Sequence, residues 1–195
     1  MAPMAAGNLV AVAMSAAVLL LLAAAAAANQ EGEALTAFRK GLRDPNGALA
    51  SWDPNLVNPC TWGRLTCDDD NRVTGIISLD LYNNIEGSIP PEFGNLENLI
   101  SLDLYNNNIS GPIPPSLGKL KSLGYMRMDH NRLTGQIPNE LVGLSNLMVL
   151  NLSNNDLCGT IPTSGPFERF LPSSFANNPR LRVPQMGLHD GDDGC

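Results

Sequence analysis

The two histidines of the chain, His130 and His189, are the side chains best suited to acid–base catalysis. Neither stands in a recognisable catalytic motif, and the sequence holds no G-x-S-x-G segment that would present a serine nucleophile. His130 follows Asp129 at the end of a predicted strand, on the exposed side. The sequence therefore indicates a protein that is not an enzyme and needs no cofactor.

Acidic residues and cysteines are the other groups that could bind a metal ion. The acidic segments 68–70 (DDD) and 190–193 (DGDD) do not complete the D-x-D-x-D-G-x₅-E loop that binds calcium. The cysteines lack the close C-x-x-C pairs of a zinc site. We therefore predict no metal site and interpret the acidic segments as solvated loops.

The cysteines are even in number, which indicates disulfides in an exported chain. Three pairings are possible for four cysteines. Pairing nearest neighbours, Cys60 with Cys67 and Cys158 with Cys195, would place one bridge in each end of the mature protein.

Export is predicted from the N-terminal segment, which is apolar from Val10 to Ala28 and ends in small residues. This is typical of a secretory signal peptide cleaved just before Asn29, so residues 1–28 are predicted to be removed. An uncleaved membrane anchor is the alternative, because about 19 apolar residues nearly span a bilayer. The segment lacks flanking basic residues and interfacial aromatic residues, which favours cleavage. We expect the mature protein to be secreted, in the apoplast or peripheral to the plasma membrane.

A pattern of leucine, asparagine, glycine and proline recurs through residues 73–162. The unit reads L-x-x-L-x-x-L-x-L-x-x-N-x-L-x-G-x-I-P, and three copies begin at Leu96, Leu120 and Leu144, the second with methionine at two of the leucine positions. A first copy, 76–90, is interpreted as one residue short, with Leu79 aligned with Leu102. One unit cannot bury its apolar edge alone, so four repeats of about 24 residues are expected to stack.

The predicted fold is an α/β leucine-rich repeat solenoid, a short right-handed curved coil. Its L-x-L segments form a parallel β-sheet on the concave face. Asparagines then turn the chain out of the sheet, and their buried amides need partners, so we expect a hydrogen-bonded ladder between coils. The first repeat is expected to pack normally, with its missing residue absorbed in the turn after Asn83. The ladder residues are Asn84, Asn107, Asn131 and Asn155.

Each end of a solenoid needs a cover. Leu35, Phe38 and Leu42 share one face of a helix predicted over 31–43, which would close the first coil together with Trp52 and Trp62. Residues 29–72 are therefore predicted to be an N-terminal cap, and 163–195 a C-terminal cap and tail.

Three segments carry a resemblance to a known family: SWDPNLVNPCTW (51–62), the L-x-G-x-I-P repeat, and SGPFERF with SFANNPRL (164–181). Over residues 30–195 the chain resembles small secreted plant leucine-rich repeat proteins and the ectodomains of somatic embryogenesis receptor kinases. The resemblance implies recognition at the cell surface, in defence or growth signalling. The chain has no kinase domain and four repeats where relatives usually carry five. Gly63 and Arg64 stand where the receptor kinases carry Phe-His in a cap loop that contacts hormone and receptor.

Two functions follow from the resemblance. The first is a protein-binding module at the plasma membrane or cell wall, with a receptor kinase ectodomain as a candidate partner. The alternative is an inhibitor of a secreted wall-degrading enzyme such as polygalacturonase. Those inhibitors have a long concave surface, whereas four strands at about 4.8 Å spacing span about 15 Å. Nucleic acid is not expected as a partner, because the net charge is -7.

Residues between and beside the leucines of each strand are expected to project from the concave sheet. Tyrosine and arginine are enriched at interface hot spots, and Tyr82, Tyr105 and Arg127 match positions that the related ectodomains use against partner receptors. We expect these three to stack in register as a stripe. The predicted contact residues are Asp80, Tyr82, Asp103, Tyr105, Tyr125 and Arg127, with Val57 and Thr61 from the cap.

Two N-glycosylation sequons are present, Asn108-Ile109-Ser110 and Asn151-Leu152-Ser153. Asn108 is expected in the turn beyond a strand, where a glycan is easily accommodated. Asn151 is expected to face the concave sheet, where a glycan would cover part of the binding surface. We predict modification at both, with higher occupancy at Asn108.

Overall fold

The computed structural model describes residues 18, 30–56, 58–76, 85–183 and 195. Several predictions fall on other residues and therefore lie outside the described part of the chain. They are the signal peptide, His189, the acidic segment 190–193, the ladder residue Asn84, and the contact residues Val57, Asp80 and Tyr82.

Short strands dominate the described part of the chain, with one helix, α1, over residues 30–41. Five-residue 3-10 turns such as Pro115–Lys119 connect the strands of successive coils. The strands are β1 Leu42–Arg43, β2 Leu65–Cys67, β3 Val73–Ile76, β4 Glu86–Gly87, β5 Ser101–Asp103, β6 Asn108–Pro112, β7 Tyr125–Arg127, β8 Arg132–Gln136, β9 Val149–Asn151, β10 Asp156–Thr160 and β11 Arg180–Arg182.

The concave sheet has the strand order β2-β3-β5-β7-β9. From β3 to β9 the strands are parallel and come from successive coils. Leu102, Met126 and Leu150 are register partners at the centre of this sheet, and each is at most 3% exposed. These buried side chains form the continuous core of a leucine-rich repeat solenoid, which confirms the predicted fold.

The predicted register of the first repeat is wrong. Leu102 pairs with Ile76 and not with Leu79, because the strand that neighbours β5 is Val73–Ile76 of the cap. Nine residues (77–85) separate Ile76 from Glu86, whereas only five (103–107) separate their partners Leu102 and Asn108. The first coil is therefore longer than the next one between these paired points. It is not one residue short.

A second sheet, which the sequence analysis missed, runs along another side of the solenoid in the order β1-β4-β6-β8-β10-β11. We call it the outer sheet. Its long strands are built from the N-x-L-x-G-x part of the repeat. Gly111, Gly135 and Gly159 have φ of 80°, 75° and 80° within these strands, in the left-handed region that glycine adopts without steric cost. The glycine of each repeat therefore permits the bend of this outer strand.

The asparagine ladder is present. The Asn131 side chain accepts from the Ile109 amide at 3.0 Å and donates to the Leu104 carbonyl at 2.9 Å, and both groups belong to the preceding coil. Asn155 repeats this with the Leu133 amide at 2.9 Å and the Met128 carbonyl at 3.0 Å. Asn107 accepts from the Ile85 amide at 3.2 Å. The predicted ladder is confirmed at these three positions.

The ladder continues into the C-terminal cap, which the sequence analysis did not anticipate. Asn178 accepts from the Leu157 amide at 3.0 Å and donates to the Leu152 carbonyl at 3.0 Å. Strand β11 then pairs in parallel with β10. The cap segment SFANNPRL is thus a shortened coil of the same design, closed by Phe167 and Phe175 at a ring distance of 6.2 Å.

The N-terminal cap closes the other end through aromatic packing. Phe38 of α1 is fully buried, with its ring 4.5 Å from Phe93, and Trp52 lies 5.6 Å from Trp62. Strand β2 pairs antiparallel with β3 and is held to the cap loop by the Cys60–Cys67 disulfide. The second disulfide joins Cys158 to Cys195, so the pairing is that of nearest neighbours.

Glu31 of α1 fixes the cap to the concave sheet, since its carboxylate accepts from the Val73 amide at 3.0 Å. Burial raises the pKa of Glu31 above its ordinary value of 4.5, against the opposing effect of hydrogen bonds from Val73 and Asn98. The folded chain therefore binds a proton at Glu31 more tightly than the unfolded chain does. The contribution of this group to stability is fully present below its unfolded pKa and declines as the pH rises through the folded pKa.

We predict that Glu31→Gln stabilises the protein relative to wild type increasingly as the pH rises from about 4 to about 7. Glutamine keeps an oxygen acceptor for the Val73 amide without a charge that burial disfavours. Denaturant unfolding at several pH values measures the difference, with Glu33→Gln, an exposed change on the same helix, as the control. A difference from wild type that does not change with pH would contradict the prediction.

We predict that Asn155→Ala lowers the free energy of unfolding by more than about 2 kcal/mol, because it leaves a buried amide and several carbonyls without partners. Asn146→Ala is the matched control, since Asn146 is exposed and donates to the Lys121 carbonyl at 2.8 Å. Its loss should stay below about 1 kcal/mol. Equal losses for the two variants in denaturant unfolding would show that the ladder is not a major source of stability.

Candidate partner-binding surface

The register of the concave sheet arranges its outward side chains in rows. One row contains Gly75, Ser101, Tyr125 and Val149, and the next contains Asp103, Arg127 and Asn151. Because the strand register fixes these rows, the position of a residue within its strand determines which side chains of the adjacent strands it contacts.

Arg127 lies opposite Asp103, with Nη1 3.5 Å from Oδ2. The Ser101 hydroxyl donates to the same carboxylate oxygen at 3.4 Å. The side chain of Asp103 is only 11% exposed and that of Arg127 is 43% exposed. The buried Asp103 carboxylate therefore holds the Arg127 guanidinium in place, and the guanidinium remains at the surface.

The expected stripe of Tyr105 and Arg127 is not in register. Tyr105 lies two residues beyond Asp103, past the end of β5, at the level of Asp129, whose carbonyl accepts from the Asn106 amide at 3.0 Å. The register partner of Arg127 is Asp103, two residues before Tyr105. Arg127 and Tyr105 are therefore diagonal neighbours on adjacent strands. Tyr125 and Tyr105 are both half-buried and flank the Arg127–Asp103 pair.

His130 stands at the edge of this surface. Its Nδ1 lies 2.9 Å from Oδ2 of the buried Asp129, and its side chain is 54% exposed. Its φ of 53° matches Asn106 and Asn154 at the equivalent turn, which have φ of 54° and 57°. The histidine thus occupies a turn position that asparagine fills in neighbouring coils.

The cap reaches the concave face through β2 and β3. A depression of about 410 Å³ is lined by Thr66, Thr74, Ile100, Ser101, Tyr125 and Arg127. Thr61, the predicted cap contact, is exposed and donates its hydroxyl to the Asn58 carbonyl at 2.9 Å, and it does not line this depression. Sequence reasoning missed the two threonines because β3 was not recognised as the strand next to β5.

The sequons lie on different sheets. Asn108 is the first residue of β6 in the outer sheet, and not in a turn beyond a strand, and its Nδ2 donates to Glu86 at 3.3 Å. Asn151 is the last residue of β9 in the concave sheet. Both side chains are half-buried.

Among the described residues, no cluster of three or more histidine, cysteine, aspartate or glutamate side chains could hold a metal ion. In the same part of the chain, no helix has the length and apolar character needed to cross a membrane.

Comparison with protein families gives three matches. The leucine rich repeat N-terminal domain matches residues 28–68, and leucine rich repeat families match 74–133 and 146–167. Leucine-rich repeat protein 1 of Oryza sativa subsp. indica is 56% identical over 103 residues, which are 52% of this chain and 46% of the relative. Leucine-rich repeat protein 1 of Arabidopsis thaliana is 56% identical over 79 residues, 40% of this chain and 35% of the relative. The chain thus spans less than half the length of these curated relatives.

Solved structures with the same fold include plant receptor ectodomains. The PEPR1–AtPEP1 structure has a TM-score of 0.63 and 34% identity, and the match covers 69% of this chain and 19% of that one. The BIR3–SERK2 complex from Arabidopsis thaliana has a TM-score of 0.53 and 27% identity, with coverage of 80% and 95%. The GASSHO1/SCHENGEN3 ectodomain from Arabidopsis thaliana, in complex with CASPARIAN STRIP INTEGRITY FACTOR 2, has a TM-score of 0.59 and 33% identity, with coverage of 80% and 17%.

We predict N-glycosylation in a plant-expressed sample, with higher occupancy at Asn108 than at Asn151. Asn108 lies on the outer sheet, where a glycan leaves the concave surface open, whereas Asn151 is a register partner of Arg127. Mass mapping of glycopeptides measures both occupancies, and Ser110→Ala, which destroys one sequon only, is the control for assignment. An unmodified Asn108 would contradict the prediction.

Proposed function

Because this chain is a plant-type leucine-rich repeat protein with a leucine rich repeat N-terminal domain, we propose that it is a non-enzymatic extracellular module that binds a protein partner. The contact surface is the concave sheet around Arg127. The observation that carries this proposal is the half-exposed arginine held over a buried aspartate between two tyrosines. Arginine and tyrosine held in fixed positions are the side chains that dominate protein interfaces.

The similar structures support a proposal for the class of partner. The PEPR1 and GASSHO1/SCHENGEN3 structures are complexes with AtPEP1 and CASPARIAN STRIP INTEGRITY FACTOR 2, and BIR3 is in complex with SERK2. The matched chain of the last complex is almost fully covered, so this chain is of similar size to a protein found in such a complex. We infer that a receptor kinase ectodomain at the plasma membrane is its partner, in defence or growth signalling.

An extracellular location, specifically the apoplast, is part of the same proposal. Disulfides such as Cys60–Cys67 and Cys158–Cys195 persist in oxidising compartments outside the cytosol. The match to receptor ectodomains supports the same location. Val57, Asp80 and Tyr82 are proposed as additional contacts on the sequence alone.

Inhibition of a secreted wall-degrading enzyme is the second candidate function. Within the described residues the concave sheet has five strands, so at about 4.8 Å spacing these span about 19 Å. That is enough for a standard interface of about 800 Å² on each partner, but it is short for enclosing an enzyme. Addition of the purified protein to a polygalacturonase assay separates the two functions, and potent inhibition would reverse their order.

We predict that Arg127→Ala and Tyr105→Ala each weaken partner binding by more than about 1 kcal/mol, the scale of a hot spot. The partner is identified first by co-immunoprecipitation from plant membranes, and affinities are then measured by calorimetry. Arg180→Ala is the control, because Arg180 is an exposed arginine of the outer sheet that pairs with Asp156 at 3.0 Å. Normal binding by both concave variants with loss of binding by Arg180→Ala would overturn the proposal.

A further inference from the structure

The depression on the concave face results from one row of the sheet. Along this row the side chains are those of Gly75, Ser101 and Tyr125. The first two are small, so the surface is low over β3 and β5 and rises at the Tyr125 ring. A side chain on Gly75 would collide with the Thr66 hydroxyl. Glycine at this position therefore leaves room for the Thr66 side chain, which lines the depression.

The walls of the depression are largely apolar on the side where the strands begin. Ile100, directly before β5, leaves 46% of its surface exposed. Tyr125, the register partner of Ser101, lines the same depression. Exposed aliphatic and aromatic surface side by side favours an apolar occupant, because its burial removes apolar area from water on both partners.

The opposite wall carries a positive charge. Arg127 lines the depression, and its Nη1 lies 3.5 Å from Oδ2 of Asp103. A guanidinium has five N–H donors, so one ion pair of this length leaves donors for a second acceptor. Because the Asp103 carboxylate is 11% exposed, the surface presents the cation and shields the anion. The chain as a whole is acidic, with 19 acidic and 12 basic residues and a net charge of -7.

We propose that the depression receives an aromatic side chain of the partner protein together with an adjacent aspartate or glutamate. The ring would lie between Ile100 and Tyr125, and the carboxylate would accept from Nε and Nη2 of Arg127. The volume of about 410 Å³ accommodates both groups. This inference rests on the proposed function, because it names the chemistry of the partner that binds the same surface.

The test uses two fragments with one skeleton and opposite charge, hydrocinnamate and phenylpropylamine. Each is titrated into the ¹⁵N-labelled protein, and amide shifts are followed by NMR. Hydrocinnamate is expected to shift the Thr74, Ser101 and Tyr125 amides saturably, at least about 5-fold more tightly than the amine. Preference for the amine, equal affinity for the two fragments, or shifts confined to other parts of the molecule would overturn the inference.

Variants separate the charge from the apolar wall. Arg127→Gln should remove the preference for hydrocinnamate, whereas Arg180→Gln should leave it unchanged. Ile100→Ser should weaken both fragments by a similar factor, because it reduces the apolar wall without altering the charge. An unchanged preference in Arg127→Gln would overturn the inference.

The outcome is distinguishable from that of the proposed function. A partner that binds through Tyr105 and Arg127 while the fragments show no charge preference would contradict this inference alone. Specific hydrocinnamate binding together with full partner binding by Arg127→Ala and Tyr105→Ala would contradict the assignment of the partner surface, and the inference about the partner with it.

Discussion

The hydrogen bonds of the asparagine ladder are the constraint on which the rest of the structure depends. Each amide both accepts and donates, so one side chain satisfies backbone groups of its own coil and of the preceding coil. A residue with only one of these capacities would leave a partly buried backbone group without a partner. The spacing between coils is therefore fixed at this turn, immediately after β5, β7 and β9.

The fixed turn determines the strand register and hence the surface. Because Asn131 ties its coil to the Leu104 carbonyl, Arg127 is placed opposite Asp103 and cannot move along the strand without breaking these bonds. The ion pair between the two is partly exposed and contributes little to stability by itself. Its effect is to hold an arginine in one position, which reduces the entropy that binding would otherwise cost.

The sequence predicts those features that repeat and misses those that occur once. Leucine and asparagine at regular spacing are sufficient for the solenoid, the concave sheet and three ladder positions. The segment VTGI lacks the leucines of the repeat, so the sequence pattern does not predict β3 and aligns Leu79 with Leu102 instead. Asn178 was missed because its coil is shortened, although the spacing from Phe175 to Asn178 is that of the regular unit.

The candidate site lies where the regular repeats meet the N-terminal cap. This explains why its position could not be predicted from the repeat pattern. Arg127, Asp103 and Tyr125 were all expected to project from the sheet, because alternation along a strand is a local property of the sequence. The depression depends in addition on which strand lies beside β5, and that is decided by the cap hairpin, Glu31 and the Cys60–Cys67 disulfide. Regular coils give an even concave surface, since equivalent positions of successive repeats carry side chains of similar size. An interruption such as the small residues Gly75 and Ser101 next to Tyr125 creates an uneven surface that a particular partner can recognise.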